Sequence, residues 1–285
     1  MTTVRNLSDL SGALGLDQET LSALSEKAED SYIRFPLRSK RRRVRWIEAP
    51  HPWLKFVQRR LLDRILYQAT PHPAAHGFFP RRSIVTNARL HTGKAWALSL
   101  DLKDFFPSTG EIAVKKVLKK FLSLEGEALD TVLRLTCRGG ALPQGAPTSP
   151  HLANLAFFSG DEALTALAAR HGLSYTRYAD DITLSGNQLP DDLEGRVEEI
   201  TNRSGYRLAK GKTKEMGRHR SQRVTGLVVN DGVKLPRSQR RKLRAIRHDL
   251  QNKGPEQALT RSGYGSLCEL EGHLAFERMV MDEKG

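Results

Sequence analysis

Three aspartates carry the first chemical signal in this sequence. Asp180 and Asp181 stand side by side in LSYTRYADDITLSG, and Asp101 closes the run AWALSLD. Adjacent carboxylates repel one another, and Asp is a poor strand residue, so the pair needs something to offset its cost. A divalent cation does so, and hard oxygen donors of this kind suit Mg²⁺. Two such ions would activate an attacking hydroxyl and stabilise the leaving oxygen of an in-line phosphoryl transfer. A lone aspartate in a loop is usually a turn or capping residue; Asp-Asp between two apolar runs points to the metal.

The surrounding elements must bring the three together. In AWALSLDLKDFF, Trp96, Leu98, Leu100 and Leu102 alternate with Ala97, Ser99, Asp101 and Lys103. This period of two predicts a strand that delivers Asp101 to the face opposite its leucine row. LSYTRY and ITLSG predict two more strands joined by a tight turn at Ala179–Asp181. Were these strands neighbours, the carboxylates would converge at one sheet edge. Leu7, Leu10, Leu14, Leu21 and Leu24 give residues 1–30 a helical spacing, and the apolar positions of Trp53–Tyr67 describe an amphipathic helix. EIAVKKVLKKFL reads as a basic helix, GGALPQGAPTSP as a Gly/Pro-rich loop, and His151–Arg170 as one long apolar helix. RVTGLVVNDGVKLP predicts a hairpin turning at Asn230–Gly232. RSQRRKLRAIRHDL predicts a helix with a narrow stripe of Leu243, Ile246 and Leu250. This order indicates an α+β protein.

Charge indicates the partner. The 285 residues carry a net +14, and Ser204–Arg247 holds fourteen Lys/Arg against Glu215 and Asp231 alone. A second cluster, RSKRRRVR at residues 38–45, has six basic residues in eight. Two such clusters flanking a carboxylate centre suit nucleic acid. Cys137 and Cys268 are too few for a disulfide framework or zinc cluster. No secretory leader and no membrane-length apolar run is seen, so the expectation is a cytoplasmic protein with no membrane partner.

YADD at Tyr178–Asp181 resembles the palm motif of reverse transcriptases. LDLKDFF around Asp101 resembles their first palm motif, and LPQGAPTSPHLANLAF from Leu142 the motif that supports nucleotide and template. The resemblance runs from about Tyr32 to Asn230. It implies a right-hand polymerase: a helical lead-in over 1–30, fingers with the palm entry over 31–95, a palm of antiparallel sheet and helices over 96–230 ending in a primer-grip hairpin, and a small basic helical thumb over 231–285. It further implies an RNA-directed DNA polymerase in which Asp101, Asp180, Asp181 and the Leu102 carbonyl hold two Mg²⁺. Phe106 would be the ring that meets the sugar 2′ position and favours dNTPs, a place its neighbour Phe105 could fill or leave for the core. Gln144 would contact the nucleotide, Gly145 would permit close backbone approach, and Arg45 and Arg82 would clamp the triphosphate. Lys212 resembles the lysine near the leaving pyrophosphate, with Lys210 and Lys214 as neighbouring candidates.

NARLH at Asn87–His91 and VTG at Val224–Gly226 resemble two signatures of bacterial retron reverse transcriptases, which implies that Asn87, His91, Val224, Thr225 and Gly226 bind RNA. Arg240, Arg241 and Arg244 would hold the duplex through its phosphates. The retron resemblance implies a cognate structured noncoding RNA, copied from a guanosine 2′-OH into a short branched single-stranded DNA, in antiphage defence. Template removal would fall to a host RNase H, and any effector would be a separate protein. Group II intron-like or diversity-generating reverse transcriptases are the alternative reading.

Overall fold

The computed structural model describes Val4, residues 6–38 and residues 44–282; Lys40 and Arg41–Arg43 of the first basic cluster lie outside the described residues. The chain opens with α1 (Leu7–Leu14) and α2 (Gln18–Glu26), whose first turns are capped by the Asn6 and Asp17 side chains accepting from the Asp9 and Thr20 amides. Leu7, Leu10, Leu14 and Leu21 are buried in the main core, so this lead-in is part of the body of the protein. β1 (Tyr32–Arg38) and β2 (Val44–Pro50) form an antiparallel ribbon in the register Arg34↔Glu48, Pro36↔Trp46. α3 (Pro52–Arg64) and α4 (Ile84–Arg89) follow, the latter started by a capping box of Ser83 and Thr86.

The centre is a four-stranded sheet of β3 (Trp96–Asp101), β4 (Ser174–Tyr178), β5 (Asp181–Gly186) and β6 (Lys214–Gly217), in spatial order β4-β5-β3-β6 and antiparallel throughout. Between β3 and β4 lie α5 (Glu111–Leu122), α6 (Gly126–Thr136), α7 (Ser149–Ala156) and α8 (Phe158–Arg170); α9 (Leu193–Arg203) precedes β6. The register puts Leu98 opposite Leu184 and Leu100 opposite Ile182, one apolar face packed into the main core. The other face carries Ser99, Thr183, Ser185 and Thr176 beside Asp101 and Asp181.

Two sequence expectations change. The single helix over His151–Arg170 is two helices, beginning earlier at Ser149 and broken at Phe157. The fully buried Phe157 ring lies against Gly160, where a Cβ would come within 2.7 Å of it, and meets Phe105 and Tyr206 edge-on. The basic hairpin turns twice. β7 (Arg223–Val224) and β8 (Leu227–Val228) are joined by Thr225 and Gly226, both at positive φ, before the Asn230–Gly232 turn brings Lys234 back to Val228. Thr is a poor residue for that conformation, so the first turn gave little local signal; Thr225 Oγ1 instead donates to the Ile84 carbonyl at 2.9 Å.

α10 (Arg237–Lys253), α11 (Pro255–Ser262) and α12 (Leu267–Asp282) complete the chain. A second apolar cluster ties them to β7, β8 and α4 through Val85, Ala88, Val224, Leu227, Leu243 and Ile246.

Candidate active site

Asp101 and Asp181 are directly paired across β3 and β5, so their side chains emerge on the same face. Asp180 sits in the two-residue turn before β5, and its carbonyl accepts from the Leu102 amide at 2.8 Å. On the other side of β3, the Asp101 carbonyl accepts from the Ala209 amide at 2.7 Å, and the turn that follows brings the Lys212 ammonium onto Asp101 Oδ1. Of the three candidate lysines, Lys212 is therefore the one at the carboxylates; Lys210 and Lys214 are exposed.

Negative charge is in excess here. Burial, then the charges of Asp180 and Asp101, push the Asp181 carboxyl up to about 6, against the pull of Lys212 and Lys214. Burial and Asp101 raise Asp180 as well. Among the described residues no group of three or more His, Cys, Asp or Glu side chains is disposed as a ready metal cage. Asp101 faces an ammonium instead. Three crowded carboxylates, two of them raised and the third paired with a lysine, form a donor set suited to divalent cations.

A cleft of about 470 Å³ opens over this edge, and Asp101, Leu102, Asp180, Lys212, Arg45, Gln144, Phe105 and Phe106 line it. The two phenylalanines differ. Phe105 is buried against Phe157 and Tyr206, whereas Phe106 is half-buried. Arg34, Trp46 and Glu48 also line the cleft and were missed. Period-two alternation in YIRFPLR and VRWIEAP could have found them, because the Arg34↔Glu48 and Pro36↔Trp46 pairs share one ribbon face. Glu48 latches β2 to the Gln144 loop: its amide donates to the Gln144 carbonyl at 2.9 Å and its carboxylate accepts from Arg138 at 2.6 Å. Gly145 makes that approach possible, for a Cβ there would meet the Glu48 carbonyl oxygen at 2.6 Å.

Other expected site residues lie elsewhere. Arg82 lines a different cleft, with Phe79 and His151, and its guanidinium is committed to the carbonyls of His72, Pro73 and Ala75. It braces the turn before α4 and is not in the carboxylate cleft. His91, expected on RNA, is wholly buried, with Nδ1 and Nε2 each 2.7 Å from the hydroxyls of Ser185 and Thr176. Burial pushes its pKa down to about 3, so it is a neutral link between α4 and the sheet. Asn87 is buried too, and neither Nδ2 nor Oδ1 of its side chain has a hydrogen-bond partner among the described residues. Val224 is in the second core, while Gly226 is exposed and Thr225 half-buried against α4. The NARLH and VTG stretches thus pack on each other. Arg240, Arg241 and Arg244 are exposed on α10. Replacing His91 with Ala strands two hydroxyls and leaves a cavity, so it should cost about 2–4 kcal/mol of stability in denaturant unfolding. An unfolding free energy equal to the wild type would remove this bracing role.

Residues 37–229 match the family model described as reverse transcriptase (RNA-dependent DNA polymerase). The chain is 35% identical to the retron Mx162 reverse transcriptase of Myxococcus xanthus, over 100% of its own length and 66% of the relative's. It is 33% identical to the retron Mx65 reverse transcriptase of the same organism (98% and 69%) and 34% identical to the retron Ec86 reverse transcriptase of Escherichia coli (88% and 79%). The chain thus spans about two thirds of the Myxococcus relatives it matches.

Proposed function

Because this chain belongs to the reverse transcriptases, and among them to the retron group, we propose that it is an RNA-directed DNA polymerase copying part of a cognate structured RNA into short single-stranded DNA. The observation that carries this reading is the pairing of Asp101 with Asp181, beside Asp180, under a cleft that also presents Phe106, Gln144, Arg45 and Lys212.

Asp101, Asp180, Asp181 and the Leu102 carbonyl would hold two Mg²⁺, which when bound would activate the attacking hydroxyl and neutralise the departing pyrophosphate. Lys212, paired with Asp101, would serve the leaving phosphate where that carboxylate holds a metal. Arg45 and Gln144 would hold the triphosphate and sugar from the ribbon and loop sides, and Phe106 would close on the 2′ position. Residues 31–95 would act as fingers, 96–230 as palm and 231–285 as thumb, with 1–30 packed against the body.

The exposed arginines of α10 would carry the template–product duplex by phosphate contacts. RNA affinity should then fall steeply with salt, and replacing Arg240, Arg241 and Arg244 together with Ala should reduce the slope of log K against log[salt] by about 2–3. An unchanged slope would remove these three from the interface.

The product would be a branched DNA primed from a guanosine 2′-OH and serving antiphage defence, with host RNase H removing template and any effector acting as a separate partner. The test is purification from cells carrying the native neighbouring DNA. A discrete DNA whose mobility changes on RNase and debranching treatment is expected. Bound RNA without such DNA under induction would argue against the branched product.

A further inference from the structure

We propose that Arg177 is a positioning residue that, through its buried pair with Asp161, holds the Asp180–Asp181 turn in the conformation the chemistry needs. The inference rests on the polymerase reading above. Arg177 stands on the apolar face of β4, and its side chain and that of Asp161 on α8 are both 0% exposed. The guanidinium donates in two directions. Nε and Nη2 grip Asp161 at 2.9 and 2.6 Å, while Nη1 donates to Asn154 Oδ1 at 2.9 Å and to the Ala179 carbonyl at 2.8 Å. The Tyr175 hydroxyl donates to the same Asp161 carboxylate at 2.6 Å, fixing it from a second side.

Ala179 immediately precedes Asp180 and has φ of 55°. That left-handed conformation is unfavourable for a residue with a Cβ, so the surroundings must over-determine it. Gly77 closes the other side of the turn: a Cβ there would lie 2.9 Å from the Ala179 nitrogen, and the Gly77 carbonyl accepts from Asn154 Nδ2 at 2.7 Å. The turn is clamped between one guanidinium and one glycine. The same guanidinium lies 5.3 Å from the Phe105 ring centroid, and that ring is 5.6 Å from Phe106. One buried cation therefore touches both the turn bearing two carboxylates and the ring that backs the sugar-facing wall.

Stability alone does not account for this choice. Desolvating both charges is costly, and apolar residues of matching volume often serve a core as well or better. Hydrocarbon, however, cannot donate to the Ala179 carbonyl. The pair supplies direction to the turn rather than cohesion to the core.

Two variants test this: the charge-free double replacement Arg177→Met with Asp161→Leu, and Arg177→Lys, which keeps the charge opposite Asp161 but loses the planar fork. Thermal melting verifies the fold, calorimetric titration measures Mn²⁺ affinity, and single-dNTP addition on a primed RNA template separates kcat from KM. In the folded variants kcat should fall roughly 100-fold, the scale of a 1 Å misplacement, with dNTP KM little changed. Mn²⁺ affinity should weaken about tenfold, as for loss of a group that orients metal ligands. If the double variant does not fold, Arg177→Lys decides. A folded variant with wild-type kcat and wild-type Mn²⁺ affinity overturns the inference. A wild-type protein that binds Mn²⁺ yet extends no primer counts against the polymerase reading, and the variants' Mn²⁺ affinities then decide this inference by themselves.

Discussion

Replacing Asp181 with Asn should abolish dNTP incorporation, by roughly 1,000-fold or more, and at the same time stabilise the metal-free protein at neutral pH. Both effects have one cause. Asp181 is paired with Asp101 and adjacent to Asp180, and burial with those two charges lifts its carboxyl from 3.8 to about 6. A carboxyl whose folded pKa lies above its unfolded value favours the folded state when protonated. Its ionisation penalty is therefore absent below pH 3.8, grows as pH rises to about 6, and is present in full above that. The neutral amide removes the penalty, which for about two pKa units is on the order of 1–3 kcal/mol. Without divalent metal, the variant should melt above the wild type at pH 7.5 and match it near pH 3.5. Added Mg²⁺ should raise the wild-type melting temperature and move the variant less, because ligand binding stabilises only a competent site. Identical melting of the two proteins at pH 7.5 would contradict the crowded-carboxylate account, and near-normal synthesis would remove Asp181 from the catalytic set. RNA binding should survive, since the arginines proposed to hold the duplex are exposed on α10, whose Leu243 and Ile246 pack in the second apolar cluster and not in the one under the carboxylates.

Replacing Phe106 with Val should let ribonucleotides in. Both rings line the cleft, but Phe105 is buried against Phe157 and Tyr206, whereas Phe106 is half-buried. A rigid ring that an additional hydroxyl must displace imposes about 1–3 kcal/mol of overpacking. Removing it should lower the dNTP/rNTP preference roughly 10- to 100-fold in kcat/KM, with dNTP use largely kept. The same change at Phe105 should instead cost stability, by about 1–3 kcal/mol, as a large-to-small replacement in a buried aromatic cluster. An unchanged preference in Phe106→Val, alongside a shifted one in Phe105→Val, would reverse the assignment of the two rings.

Several features were legible from residues alone. The alternation of AWALSLD required a strand with Asp101 opposite its leucines, and the apolar runs on either side of Ala179–Asp181 required two strands and a turn. Such patterns depend only on the period of the chain, which places side chains on faces without reference to anything distant. The basic stretch of α10 and its stripe of Leu243 and Ile246 were readable on the same ground. Partners were not. The resemblance assigns Arg82 to the triphosphate, and only the path of residues 72–75 shows that three carbonyls claim its guanidinium. His91 was visible as a motif residue, but Ser185 and Thr176, some ninety positions on, decide that it is buried and neutral. Alternation in the ribbon strands puts Arg34 and Glu48 on one face, but only the docking of β2 on the Gln144 loop, which Gly145 permits, brings that face to the cleft. Arg177 is in plain view inside TRYADD, whereas its counter-ion Asp161 is on α8, a separate helix that begins after Phe157. By itself the sequence determined which residues share a face and which chemistry they could support. Tertiary structure decided which of them meet, because register, helix docking and burial are set by the packing of the whole core.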